Sequence, residues 1–200
     1  MPKNRIEAQR KTPKKRIENR GNTPKKKIEN QDSERKDSQP KAGRPYMQGY
    51  GLPAATKGKG LLPWKWAEER LTKSHNYWMA TTGPRGGPHV MVVWGVWVGS
   101  AFYFSTGRES RKAKNLAANP HCVVCTEKAD EAVILEGMAK EITEAATLKK
   151  LAGPYNSKYK PWKLDPELGP VYAVLPEVIF GLREKDEMQS ATRWRFGDSS

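Results

Sequence analysis

Between residues 105 and 112 the chain reads Ser-Thr-Gly-Arg-Glu-Ser-Arg-Lys, a hydroxyl-rich strand end that passes through glycine into a helix start with two cations. That order of residue types suits a phosphate group. Ser105, Thr106 and Ser110 supply hydroxyl donors, the first helical turn presents free N–H groups at its positive end, and Arg111 and Lys112 add charge and reach. An ordinary solvated basic helix fits the same pattern, and no Walker or dinucleotide glycine motif accompanies it. Just upstream, residues 90–98 form an apolar run containing Trp94, Gly95 and Trp97. Alone this is either core or a flat wall for a planar ring system. Because the two segments flank one hairpin turn, they are predicted to lie side by side, where a ligand with a phosphate tail and a planar head spans both.

Other chemistries lack their parts. His121-Cys122-x-x-Cys125 has no second Cys/His cluster to complete a tetrahedral site, and residues three apart on a strand face opposite sides, so no metal is expected. His75, His89 and His121 have no nucleophile elbow beside them. The acids are scattered, with no paired-carboxylate arrangement. A chain without acid, base or metal apparatus of its own points to a cofactor that carries the chemistry.

The elements that must position these residues follow from periodicity and turn signals. Pro63 opens a helix over 64–76, with Trp64, Ala67 and Leu71 on its inner face. Strands over 77–82, 89–98 and 101–106, joined by the Gly83-Pro84-Arg85-Gly86-Gly87 and Gly99-Ser100 turns, predict a three-strand meander whose middle strand is buried on both faces. Ser110 caps a helix over 111–119 that ends before Pro120. Strands are expected at 122–127, 132–142, 171–175, 178–182 and 192–196, a helix at 144–152, and a loop at 155–162. Many short antiparallel strands with few helices indicate a mainly β (α+β) barrel or strongly bent sheet.

The chain's formal net charge of +14 over 200 residues is concentrated at one end. Residues 1–60 hold 17 Lys/Arg against 6 Asp/Glu and no Trp, whereas all 7 Trp lie beyond. The first segment is therefore read as a disordered basic arm and linker, with residues 61–200 forming one folded domain. Within the arm, Pro2, Pro13 and Pro24 recur every 11 residues, followed by Ile6, Ile17 and Ile28, without building a continuous apolar stripe. Residues 1–40 are either a neutral extension or a weak, nonspecific attractor of nucleic acid; no aromatic interleaves the basic clusters. Residues 41–60 read as a flexible linker. No apolar run is long enough to span a bilayer, no secretory signal follows the basic start, and two cysteines fit a reducing cytoplasm.

Taken together, Gly87-Pro88-His89-Val90-Met91-Val92-Val93-Trp94, Tyr103-Phe104-Ser105-Thr106, Ser110-Arg111-Lys112-Ala113-x-Asn115-Leu116-x-x-Asn119-Pro120 and Ala191-Thr192-Arg193-Trp194-Arg195-Phe196 resemble the pyridoxamine 5′-phosphate oxidase-like family, within its flavin/deazaflavin oxidoreductase group. The resemblance spans residues 64–196. It implies a split β-barrel of about six to eight antiparallel strands and a homodimer with FMN or the deazaflavin F420 in clefts between subunits. It also implies that Arg111 and Lys112 hold the cofactor phosphate with Ser105, Thr106 and Ser110, that the backbone of Val92, Val93 and Trp94 lies along the ring, and that Arg193 and Trp194 close the pocket. The implied activity is hydride transfer to or from a small organic molecule. Vitamin B6 oxidases of the family carry an Arg and a Lys on the strand over the cofactor, near positions that are Met91 and Val96 here. A general flavin- or deazaflavin-dependent reductase is therefore expected rather than a pyridoxamine phosphate oxidase. The alternative from another class is a non-catalytic module that holds a flavin or haem and docks on nucleic acid through its tail.

Overall fold

The computed structural model describes residues 39–51 and 60–197, and the 11-residue repeat lies outside them. Among the described residues, nine strands and three α-helices follow in the order β1 (Lys41–Gly43), α1 (Trp64–Lys73), β2 (Tyr77–Thr82), β3 (Pro88–Val93), β4 (Gly95–Val98), β5 (Ala101–Ser105), α2 (Arg111–Ala118), β6 (His121–Thr126), β7 (Glu131–Ile142), α3 (Ala145–Lys158), β8 (Val171–Arg183) and β9 (Thr192–Arg195). All pairings are antiparallel, in the order β1-β9-β8-β7-β6-β2-β3, with β4 on β5 and β5 on β8. The 13-residue β8 carries the bend: its first half pairs with β5, its second half with β9, and β7 runs along the other edge of both. The result is the split barrel expected from the resemblance.

Period-2 alternation explains the core. Tyr77, Met79 and Thr81 of β2 point inward beside Cys122 and Val124 of β6, where Val133, Leu135, Phe102, Phe104 and Ile179 join them. From α1, Ala67 and Leu71, four residues apart, close one end without any exposed surface.

Several sequence expectations are corrected. The strand expected over 89–98 is two strands: β3 pairs with β2 and β4 with β5, so there are two hairpins and no meander. The break falls at Trp94, because Gly95 packs so tightly that a Cβ there would lie 2.2 Å from Phe102 Cζ. β3 is also an edge strand with Val90, Met91 and Val92 exposed, not a strand buried on both faces. The two strands expected at 171–175 and 178–182 are one, passing Pro176 at a register shift opposite Gly137, where a Cβ would meet the Leu175 carbonyl oxygen at 2.2 Å.

The linker reading of 41–60 fails at its start, since β1 pairs with β9 and belongs to the folded unit. Arg44 is buried and donates to the carbonyl oxygens of Gln189 and Ala191, the latter at 2.9 Å. Arg44→Ala leaves the buried Ala191 carbonyl and the partly buried Gln189 carbonyl short of a donor, so a loss of about 1–3 kcal/mol is expected in urea denaturation. Finally, α3 runs through Gly153 and Pro154 to Lys158 rather than giving way to a loop at Tyr155. Leu151, Tyr155 and Tyr159, at spacings of four, pack against Val96 and Val171, and this apolar stripe outweighs the missing N–H of Pro154.

Candidate cofactor site

Helix α2 starts where a hydroxyl cluster has formed. Ser110 caps it, accepting from the Ala113 N–H at 3.2 Å, and its oxygen lies 3.1 Å from the Thr106 hydroxyl. Lys112 Nζ donates to the same Thr106 oxygen at 3.1 Å. Burial with no facing acid holds the Lys112 ammonium below its ordinary pKa. A half-desolvated cation beside two hydroxyls and a helix N-terminus is a fitting cradle for a phosphate dianion. Arg111 is exposed at the mouth, and Ser105 stands at the end of β5 opposite Val171.

The rest of the helix fixes this cluster against the sheet. Asn115, buried, donates from Nδ2 to the Thr81 hydroxyl at 3.0 Å, which docks α2 on β2. β2 pairs with β3, Thr81 opposite His89 and Trp78 opposite Val92. The helix start and the exposed edge of β3 therefore share one end of the barrel. His89 Nδ1 is enclosed there with no hydrogen-bond partner among the described residues, a polar vacancy that composition alone did not single out.

Trp94 sits at the β3–β4 break, stacked on Tyr159 with centroids 4.9 Å apart and planes 11° from parallel. Its position depends on residues that the sequence reading placed in a surface loop. The Gly95 N–H donates to Tyr159 Oη at 2.8 Å, and Lys158 Nζ donates to the Gly95 carbonyl at 3.0 Å and to Tyr77 Oη at 2.8 Å. Lys158 is thus an internal strut between α3, β2 and the start of β4. Burial pushes its pKa down to about 8. A lysine depressed in the folded state costs stability below pH 8, and that cost is relieved as pH rises towards the unfolded value near 10.4. Relative to Lys158→Met, the wild-type urea midpoint is therefore expected to rise between pH 8 and pH 10.

Val93 is buried, whereas Val92 is 42% exposed and continues an outward apolar row with Trp78, Cys125 and Ile134. Across the same sheet face this row reaches Phe180 and Arg193, and the next row ends at Arg195 and Lys41. Arg193 Nε is buried without a partner among the described residues, and burial and Arg195 together lower its pKa. Trp194 does not close a pocket within this subunit. It is fully buried, 5.6 Å from Trp64 in an edge-to-face contact. Among the described residues no three His, Cys, Asp or Glu side chains are grouped to hold a metal, and no helix is long and apolar enough to cross a membrane. Burial pushes the Cys122 thiol up to about 12.

The fold is thus a split barrel built from antiparallel strands, with a hydroxyl-and-lysine cluster at the start of α2. The pyridoxamine 5′-phosphate oxidase family model matches residues 64–178, more than half of the chain, and the chain belongs to that family. Among solved structures it is similar to a conserved hypothetical protein of Mycobacterium tuberculosis (19% identity over 64% of this chain and 91% of that one, TM-score 0.56). It is also similar to a heme binding protein from Mycobacterium smegmatis (18%, 60% and 55%, TM-score 0.51) and to an F420 reductase (22%, 56% and 94%, TM-score 0.47). At these identities the likeness is one of fold. A search of curated proteins returns no match.

Proposed function

We propose that this chain is a homodimeric flavin- or deazaflavin-dependent oxidoreductase of the cytoplasm that moves hydride to or from a small organic molecule, with FMN as cofactor and F420 as the alternative. The observation that carries this reading is the Thr106–Ser110–Lys112 cluster at the start of α2. The ring of such a cofactor supplies hydride chemistry when bound, and the protein supplies binding, orientation and exclusion of water. Lys112 and Arg111 hold the phosphate with the hydroxyls of Ser105, Thr106 and Ser110. The open edge of β3 offers backbone groups at Val92, Val93 and Trp94 for the polar rim of the ring, and Trp94, braced by Tyr159, forms an aromatic wall.

The dimer rests on the outer sheet face, where Trp78, Val90 and Val92 are each 42% exposed or more. A second copy covers this apolar patch and receives Arg193 and Arg195 at its edge. Spectral titration of the purified protein with FMN and with F420, alongside sedimentation, tests the reading. A tightly bound cofactor in a dimer supports it, and a monomer that binds neither refutes it.

A second reading draws on the 17 basic residues among the first 60. Here the barrel holds a flavin or haem without turnover and the arm docks on nucleic acid. Removal of residues 1–38 separates the two, because it spares β1. The enzyme reading expects unchanged turnover, and the docking reading expects loss of a salt-dependent retention on DNA or RNA.

A further inference from the structure

A cavity of about 580 Å³ opens between α3 and the sheet, within the range that takes small ligands. It shares no residue with the cofactor cradle. Its floor is apolar and shallow-chained: Ala101, Tyr103, Ala173 and Leu175, with Leu151 of α3 above. Tyr103 and Ala173 are cross-strand partners, and Lys140 stands opposite Ala173 on the next strand. The rim is polar. On it the two acids are already engaged: Glu141 pairs with Arg108 at 2.9 Å, and Glu144 accepts the Thr147 hydroxyl. The two lysines, Lys140 on β7 and Lys150 on α3, are exposed and pair with no acid among the described residues.

We infer that this cavity is a second ligand site, distinct from the cofactor cradle, for an amphipathic monocarboxylate whose apolar body lies on the Ala101–Ala173–Leu175 floor and whose carboxylate meets Lys140 and Lys150. The charge arrangement selects the sign of the head group. Two lysines and two acids line the opening, and each acid already accepts a hydrogen bond whereas neither lysine is paired with an acid among the described residues. A cationic head must share the two carboxylates with the Arg108 guanidinium and the Thr147 hydroxyl, while an anion finds two lysines whose donors are unused. The alanines at 101 and 173 select the body, since larger residues at those positions would fill the space.

The test is calorimetric titration of the full, FMN-saturated chain with octanoate, octan-1-ol and octylamine. Octanoate is expected to bind at one site per chain, octanol more weakly and octylamine not at all. Lys140→Ala/Lys150→Ala, both at exposed positions, is expected to weaken octanoate at least tenfold with an unchanged melting temperature. Ala173→Leu and Ala101→Leu, each filling the floor from a different strand, are expected to abolish binding while flavin affinity stays the same. Absence of octanoate binding at millimolar concentration, or binding that ignores both the lysine and the alanine substitutions, overturns the assignment. Because flavin affinity is read separately, failure here is distinguishable from failure of the cofactor reading.

Discussion

Alanine at both Arg111 and Lys112 is expected to weaken FMN binding by about a hundredfold or more, with most of the loss traceable to Lys112 alone. A hydrogen bond to a charged group contributes roughly 1.5–3 kcal/mol, and about 1.4 kcal/mol is a factor of ten in affinity. Lys112 is the stronger member because its ammonium is already half-desolvated and aimed at the Thr106 oxygen, so little ordering is left for the ligand to impose. Arg111, exposed at the mouth, is screened and adds less. Thr106→Val removes the oxygen that locates the lysine and should fall between wild type and the double variant. Quenching of flavin fluorescence during titration gives the four affinities, of wild type, Lys112→Ala, the double variant and Thr106→Val. Equal affinities for wild type and the double variant would place the phosphate elsewhere.

Trp194→Ala carries the largest expected effect on stability, about 3–5 kcal/mol, because a fully buried aromatic is deleted where neighbours cannot collapse. The gap would open against Trp64 on one side and Gly181 on the other, whose missing side chain leaves room for the Trp194 ring. For a chain of this size that loss lowers the melting temperature by about 10 °C. A lid residue would behave differently, losing cofactor affinity while the melting temperature of the cofactor-free protein held. Thermal unfolding without cofactor therefore distinguishes the core role from the pocket-closing role that the Thr-Arg-Trp segment suggests by resemblance.

Local chemistry was legible in the sequence wherever it is decided by neighbours in the chain. Ser110 caps the helix, the Gly83–Gly87 cluster turns the first hairpin, and the alternation of Tyr77–Thr82 sets inward and outward faces. Decisions made across the fold were not legible. The apolar run 90–98 contains no turn residue except Gly95, and only contact with Phe102 and Tyr159 reveals that it must break there. In the same way, Lys158 and Tyr159 look like loop residues until α3 is continued past Pro154, whereupon they become the brace for Trp94. Trp194 misled for the opposite reason: a motif located the residue correctly in the chain but could not say which side of β9 it faces. The one sequence signal for the missed brace was the spacing of four between Leu151, Tyr155 and Tyr159.

β1 is three residues long, flanked by Pro40 and Pro45, and lies along the otherwise unpaired side of β9. In that place it acts as a guard. Its shortness, its lysine and the bordering prolines leave the sheet with a blunt margin that is a poor template for a further strand. A chain starting at Met47 would lack this guard and the Arg44 clamp behind it, baring the backbone of β9 to any extended segment. Such a shortened protein is expected to self-associate on concentration even with its barrel and cofactor cradle intact, so this short edge strand helps to keep the molecule in solution.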